Sequence, residues 1–582
     1  MKSRRDDRTL EANISEMSFL NQIFASLDAA ADRILLTELR DSGPVAVTGR
    51  DLVAMIAQAR AFLASKNLKK GDRCALLAPN SIAWVAMDLA IMAAEGLIVV
   101  PLYSRQAPQE LVATMKDCLP SLIVCGDASL REGIAQNWPE APQQVLFEDI
   151  FDKRAPEVKE SAASPRAGAP FDFAQGRSAP HQDSDAVAII YTSGTSGEAK
   201  GVILTAGNIT HMLGCTSGRL DQLMQRSAGQ DNVFHYLPFC FAGSWIMLLT
   251  CLLRQSKLTI NTDLTKLAEQ MRAPEPYYFL NVPQLLERMR KAVDEQLWKT
   301  GGVPLAIYGR AKAAYVRERE GKKSLADSFW LRLANAIIFP AIRKKMIGSK
   351  LKALICGSAP LNVETQLFFM MIGIPVLQVY GLTETTAICT MDIPGSFEPA
   401  RVGPAISGIE MRLAENQEIL VRGPNIFPGY WNRPQETKNA LRDGWFHTGD
   451  QGEVNAAGNW KITGRIKNLI ILGSGHNIAP EAIEEEITAR LPGAQVVLVG
   501  NGRSYLSAIV TGNVDAEQVQ TALKEVNARS PHYKQVRELR ISSEPFTIEN
   551  GLLTANGKLK RDLIAQRFRT EIEDMYTVKQ AG

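Results

Sequence analysis

The run Tyr191-Thr192-Ser193-Gly194-Thr195-Ser196-Gly197-Glu198-Ala199-Lys200-Gly201 constrains this chain more than any other segment. It lies between two short apolar runs, Ala186–Tyr191 and Val202–Leu204. Such runs, bounded by turn residues, predict buried strands, so the segment reads as a loop joining two strands. Three glycines let a backbone approach an anion and turn several N–H groups toward it. Thr192, Ser193, Thr195 and Ser196 add hydroxyls, and Lys200 adds a full positive charge. A Walker loop would place Ser or Thr after Gly-Lys and then start a helix. Here Lys200 precedes Gly201, and a strand follows. From composition alone, a cradle for a triphosphate and a plain Gly/Ser/Thr hairpin loop both remain open.

The rest of the chain has the texture of an α/β protein. Leu52–Ala64 has helical spacing, and Arg73–Leu77 and Ile98–Val100 read as buried strands. The 582 residues exceed what one core organises, so several domains or subdomains are expected. The longest apolar stretch, Ala83–Tyr103, is broken by Asp88, Glu95 and Pro101. It reads as a core helix plus a strand, since a membrane span needs about 20 nearly uninterrupted apolar residues. Residues 155–183 are small, polar and proline-rich and read as a disordered insert. Beyond Arg465 short strands such as Ala494–Val499 alternate with helices such as Ala516–Asn527, the pattern of a small α+β domain. The expected division is a large N-terminal domain over 1–464, a hinge at 465–467 and a small mobile C-terminal domain over 468–582.

Composition excludes several classes. A net charge of +3 gives no support to nucleic-acid binding. The eight cysteines include no Cys-x-x-Cys pair and mostly sit in apolar runs, so they read as buried, reduced thiols of a cytoplasmic protein. The six histidines lack a metal-ligand spacing. The first residues, Met1-Lys2-Ser3-Arg4-Arg5-Asp6-Asp7, lack the apolar core of a signal peptide.

The 191–201 loop resembles the phosphate loop of the adenylate-forming (AMP-binding) superfamily, with Ala199 where proline is usual before the lysine. Four more stretches resemble that family in its order. Tyr380-Gly381-Leu382-Thr383-Glu384-Thr385 follows the apolar run Pro375–Val379. The resemblance implies Tyr380 against adenine, Thr383 at the α-phosphate and Glu384, with Thr192, on Mg2+. Gly357-Ser358-Ala359, Gln378 and Gly381 would complete the adenine pocket. Asp443–Asp450 would bring Asp450 to the ribose hydroxyls, after the closely matching stretch Ile419–Trp431. Ile462-Thr463-Gly464-Arg465-Ile466-Lys467 would add Ile462 and Arg465 to the nucleotide site and put the hinge at Lys467. Ser474-Gly475-His476-Asn477 resembles a loop lining the coenzyme A channel, with His476 where lysine is common. Finally, Lys558 in Thr554-Ala555-Asn556-Gly557-Lys558 would bridge the substrate carboxylate and the α-phosphate. By this resemblance ATP and Mg2+ are cofactors and coenzyme A is a co-substrate, and Lys558, Glu384, Thr192 and Lys200 are catalytic.

Residues 303–361 and Glu549–Thr554 resemble segments of long-chain fatty acyl-CoA synthetases, which implies a fatty acid as partner. Phe241 stands where histidine is common near the substrate carboxylate, and Trp245 matches a position that gates the acyl tunnel in some bacterial relatives. Core packing is the competing reading of Trp245. Ala334–Ile347 mixes apolar residues with Arg343, Lys344 and Lys345, so it reads either as an ordinary amphipathic surface helix or as peripheral contact with the inner face of a membrane. A homodimer is also compatible with the sequence. The competing functions are transfer to an acyl carrier protein, activation of a shorter or aromatic acid, a ligand sensor on an inactive synthetase, and an ordinary ATPase.

Overall fold

The computed structural model describes residues 18–151, 181–193, 199–225, 230–491, 493–554 and 557–577. The chain forms two compact units, one from 1–192, 201–409 and 422–439, the other from 193–200, 410–421 and 440–582. The strands of 440–464 thus cluster with the C-terminal residues, earlier in the chain than the expected division at 464. The expected insert at 155–183 falls outside the described residues except at its end, where a ring nitrogen of His181 lies 2.8 Å from the Met92 carbonyl.

The larger unit holds two sheets. One has six strands in the order Gln144–Leu146, Leu122–Cys125, Arg73–Leu77, Ile98–Leu102, Ala186–Ser193, Ala199–Thr205. Its first five strands pair parallel. Parallel strands are covered on both faces, which explains why Arg73–Leu77 and Ile98–Leu102 read as unbroken apolar runs. The apolar stretch from Ala83 resolves into the buried helix Ile82–Ala93 and the strand Ile98–Leu102, as its Asp, Glu and Pro interruptions predict.

The second sheet has eight strands, ordered Thr390–Met391, Val376–Tyr380, Ala353–Cys356, Tyr278–Asn281, Asn232–His235, Lys257–Asn261, Ile34–Arg40, Gly43–Thr48. Only its two edge pairs are antiparallel. A core of Phe234, Phe279, Leu354, Phe369 and Val376 packs it against the helices Pro283–Thr300, Gly302–Arg319 and Leu325–Met346.

The smaller unit contains a five-stranded sheet of Glu410–Leu413, Glu418–Arg422, Leu441–Arg442, Trp445–Val454 and Trp460–Arg465. It also holds a three-stranded sheet of Gln495–Val499, Leu506–Thr511 and Val536–Ser542. The helices Pro480–Arg490 and Ala516–Arg529 pack on the latter. The α+β expectation for this part of the chain holds.

All eight cysteines are free thiols, seven of them buried. Burial pushes Cys74, Cys118, Cys125 and Cys251 up to about 12, so they are inert packing groups rather than nucleophiles.

One polar residue ties the strand hairpin to the rest of the larger unit. Thr205 and Asn208 form a capping box at the start of the helix Ala206–Met224. The buried Asn208 amide also donates to the Pro424 and Ile426 carbonyls at 2.7 and 3.0 Å. Removing a buried donor strands both acceptors, at a cost of about 1–3 kcal/mol. Asn208→Ala is therefore expected to lower Tm by several degrees in a thermal-shift assay. An unchanged Tm would show that water replaces the amide.

Candidate active site

The 191–201 loop joins two strands, as expected: Thr192 and Ser193 end one, and Ala199 and Lys200 begin the next. Gly194, Thr195, Ser196 and Gly197 lie outside the described residues. The base of the hairpin is fixed from several sides. The Tyr191 hydroxyl donates to Asp117 at 2.6 Å, and Asp117 also pairs with Arg433 at 2.8 Å. Trp431 donates its backbone N–H to the Gly201 carbonyl at 2.7 Å, and Arg73 stacks on the Trp431 ring. A Cβ at Gly201 would come within 2.7 Å of Ile189 and 3.2 Å of Trp431, so glycine is needed for this close approach.

The residues expected around adenine sit at the carboxyl ends of two adjacent parallel strands, where open α/β sheets place ligands. Gly357 follows Ala353–Cys356, and Gly381 follows Val376–Tyr380. A Cβ at Gly357 would meet Val379 at 2.6 Å, and one at Gly381 would meet the Ala387 carbonyl oxygen at 2.2 Å. Ser358 and Ala359 are exposed, with Ser358 at φ +73°. Gln378 is buried, and its amide donates to Gln366 at 3.1 Å and to the Arg401 carbonyl at 3.0 Å, so it braces the strand end. The Gln378 N–H meets Asp392 at 2.7 Å. Burial pushes the Asp392 carboxyl up to about 7, opposed by that N–H and by Arg219.

Thr383 and Glu384 lie in a single 3-10 turn. The turn is locked below by Asn425, whose amide donates to the Thr385 and Ile388 carbonyls at 3.2 and 3.1 Å. This holds Thr386 and Ala387 in left-handed conformations, at φ +52° and +93°. Glu384 is partly exposed and accepts a hydrogen bond from the Tyr430 hydroxyl at 2.8 Å. Tyr430 also bridges to Val202 on the loop's second strand. The segment 429–431 therefore joins the strand Ala199–Thr205 to Glu384. Tyr430 was missed as a site residue; the Pro428-Gly429 turn inside a stretch already resembling the family was its one sequence signal.

A single carboxylate such as that of Glu384 suits Mg2+, which keeps one or two protein carboxylates and takes its remaining ligands from phosphate oxygens and water. Among the described residues no three His, Cys, Asp or Glu side chains converge on one point.

On the acyl side, Phe241 caps the buried helix Ala242–Leu253 and packs on Tyr103 at 5.6 Å. Trp245 is 0% exposed and donates its indole N–H to Asp88 at 2.9 Å. In this position it is a core residue, and a gate here would have to break that bond. His235, four residues before Phe239, is buried neutral, its pKa lowered to about 4 by desolvation. Its Nε2 lies 2.6 Å from the Ser244 hydroxyl.

In the smaller unit Asp450 and Arg465 face each other on adjacent strands, with Nε–Oδ1 at 2.5 Å. Asp450 is buried, so a ribose there would share its carboxylate with Arg465. Ile462, partly buried, opposes Gly452 on the same pair of strands. Lys467 is exposed in the turn Ile466–Asn468. Ser474–Asn477 forms an exposed turn in which His476 stacks on Tyr533 at 4.3 Å and meets the Ser474 hydroxyl at 2.9 Å. Lys558 is exposed on a small hairpin closed by a Leu553–Leu559 bridge. Its N–H donates to the Thr554 hydroxyl at 3.0 Å, and its carbonyl accepts from the Thr554 N–H at 2.8 Å. Arg561, just beyond, forms a buried ion pair with Glu484 that anchors the hairpin to the helix Pro480–Arg490.

The AMP-binding enzyme family matches residues 25–431, and the AMP-binding enzyme C-terminal domain matches residues 467–580. The chain belongs to this adenylate-forming family. Long-chain-fatty-acid–CoA ligase FadD15 of Mycobacterium tuberculosis is 25% identical over 578 residues, covering 94% of each chain. Long-chain-fatty-acid–CoA ligase 5 of Mus musculus is 28% identical, covering 88% of this chain and 82% of that protein. The chloroplastic long-chain-fatty-acid–[acyl-carrier-protein] ligase AEE15 of Arabidopsis thaliana is 26% identical, covering 95% and 86%. Among solved structures, ATP-bound MatB from Rhodopseudomonas palustris aligns with a TM-score of 0.68 at 24% identity, covering 95% of this chain and 99% of that one. The fold is therefore that of adenylate-forming enzymes.

The buried Asp88 carboxyl gives a test of the Trp245 environment. Desolvation pushes it up to about 7, against the stabilising indole N–H. An unfolded Asp titrates near 3.9. The folded state therefore keeps a proton that the unfolded chain has lost between about pH 4 and 7, so stability falls as pH rises through that window and levels off above it. Asp88→Asn keeps an acceptor for the indole and removes the titration. Relative to the variant, the wild type should lose up to about 1.4 kcal/mol per pH unit between pH 5 and 7. Parallel Tm–pH curves for the two proteins would mean that Asp88 is ionised in the fold.

Proposed function

We propose that this enzyme activates a long-chain fatty acid with ATP, releasing pyrophosphate, and then transfers the acyl group to the thiol of coenzyme A, releasing AMP. The observation that carries this reading is the tie between Glu384 and the 191–201 hairpin through Tyr430. It ties a carboxylate suited to a hydrated cation to the strand Ala199–Thr205, which follows the Gly/Ser/Thr loop in sequence. Co-linear similarity to long-chain acid ligases over 94% of the chain supports the acid class.

The first step sets an anionic carboxylate against an anionic phosphate. Catalysis is then mainly positioning and preorganised positive potential. Lys200 and the loop donors would hold the phosphates, Thr383 the α-phosphate and Tyr380 the adenine. Glu384 and Thr192 would hold Mg2+, which supplies charge neutralisation between the phosphates when bound. Asp450 and Arg465 would orient the ribose. Lys558 would neutralise charge between the entering carboxylate and the α-phosphate. Rotation about Lys467 would then withdraw Lys558 and present the Ser474–Asn477 turn, whose His476–Tyr533 stack offers an aromatic face to a coenzyme A tail. The reduced thiols support a cytoplasmic setting.

An acyl-carrier-protein acceptor is the second reading, favoured by the name of the Arabidopsis relative. Comparing turnover with free coenzyme A and with holo acyl carrier protein decides between the two. AMP formation across acids from C2 to C20 plus aromatics tests the acid, and a maximum at short or aromatic acids would overturn the long-chain assignment.

Loss of one well-placed charged donor typically costs about 10²–10³ in rate. Lys558→Ala should therefore nearly abolish acid-dependent ATP–pyrophosphate exchange while retaining ATP binding by calorimetry. Unchanged exchange would refute its role. Lys467→Pro, which fixes one backbone angle, should spare exchange and block thioester formation, and equal loss in both half-reactions would argue against rotation here.

A further inference from the structure

The helices Gly302–Arg319 and Leu325–Met346 are joined by the short turn 320–324 and pack on each other. Their inner faces, including Tyr308, Ala311, Ala334 and Phe339, belong to the core of the larger unit. A surface helix with one face in the core normally turns polar residues outward. This hairpin sets large apolar side chains among its outward polar ones. Leu325 is 92% exposed, Val303 71%, Phe329 58% and Ile337 57%. Ala336, Pro340 and Ala341 extend the outer face of the second helix. Among the described residues this is the one helix long and apolar enough to cross a membrane, yet only 28% of its apolar window is buried. Because its inner face is committed to the core, it could lie on a bilayer but not cross one.

Charge concentrates on the same segment. Residues 302–346 contain ten Lys and Arg and three Asp and Glu, a net +7, whereas the whole chain carries +3. The rest of the molecule therefore carries −4. The three acids are each paired within the hairpin, Glu318 with Lys323, Glu320 with Lys322 and Asp327 with Arg317. The outward potential is accordingly basic. Arg310, stacked on Trp330, lines a cleft of about 510 Å³ between the two helices with Arg317 and Lys322. Lys344 and Lys345 close the far end of the apolar stripe and are exposed.

We propose that this helical hairpin is a docking surface for an anionic lipid bilayer, with Leu325, Phe329 and Ile337 entering the headgroup–acyl boundary and the surrounding Lys and Arg meeting lipid phosphates. An exposed apolar stripe rimmed by basic side chains is the pattern of an interfacial helix. A second copy of the chain fits poorly, because two such basic hairpins would repel. An acidic protein would match the charge and leave the exposed Leu, Phe and Ile without a role.

The test is co-sedimentation of the full chain with vesicles of phosphatidylcholine alone or with about one third phosphatidylglycerol. The expected result is binding to the anionic vesicles only, weakened at about 0.5 M NaCl. Both Leu325→Ser/Phe329→Ser and Lys344→Glu/Lys345→Glu should bind at least about tenfold more weakly. All variants should form AMP from the water-soluble octanoate at the wild-type rate. That control separates failure of the surface from failure of the proposed chemistry. Absence of wild-type binding overturns the proposal. So does loss of binding in the charge variant alone, which would mean contact through charge without insertion of the apolar side chains. A concentration-dependent dimer abolished by the apolar variant would instead assign the face to a second copy.

Discussion

The hydroxyl of Tyr430 on Glu384 is the contact on which the proposed nucleotide site depends. Glu384 emerges from the end of one sheet, and the Gly/Ser/Thr hairpin from the edge of the other. The segment 429–431 touches both, pairing with Gly201–Ile203 through its backbone and reaching Glu384 with its phenol. In the proposed complex Glu384 would need such restraint, since its own charge would favour drifting away from the phosphates. A neutral donor on one oxygen fixes the side chain without cancelling the charge that a cation requires.

The backbone beneath Glu384 is held by equally local means. Thr386 and Ala387 adopt left-handed conformations that non-glycine residues rarely hold unaided. Asn425 stabilises them through two hydrogen bonds from a buried amide, and the Thr386 hydroxyl returns one to the Asn425 carbonyl at 2.7 Å. Gly381 is then required because any Cβ would collide with the Ala387 carbonyl. Backbone strain compensated by a buried polar network is a common arrangement at functional sites.

Much of the fold could be read from periodicity. The short apolar runs at Arg73–Leu77, Ile98–Val100, Ala186–Tyr191 and Val202–Leu204 all became strands, and Leu52–Ala64 and Ala516–Asn527 became helices extended by a few residues. The reason is that burial on both faces of a parallel sheet writes a continuous apolar signal into the chain. The candidate site was readable only as separate stretches. Asp450 opposite Arg465 follows from a hairpin, a short-range pairing. Tyr430 on Glu384 spans 46 residues, and Trp245 on Asp88 spans 157, with no periodic signal linking either pair.

The amino-acid sequence alone specified the strands, the anion-friendly loop and the inventory of charged and hydroxyl groups, because these follow from local chemistry and short-range pattern. Tertiary structure decided which of those groups meet and which faces remain open. It turned Trp245 into a core residue by supplying Asp88 as its acceptor, and turned Gln378 into a brace by supplying Gln366 and the Arg401 carbonyl. It also left Leu325, Phe329 and Ile337 of the helix Leu325–Met346 uncovered, where the sequence pattern marks only Ala334–Ile347 as an amphipathic surface helix or a membrane contact. Contacts between residues far apart in the chain depend on how sheets and helices stack, and that information is spread over the whole sequence rather than written at any one position.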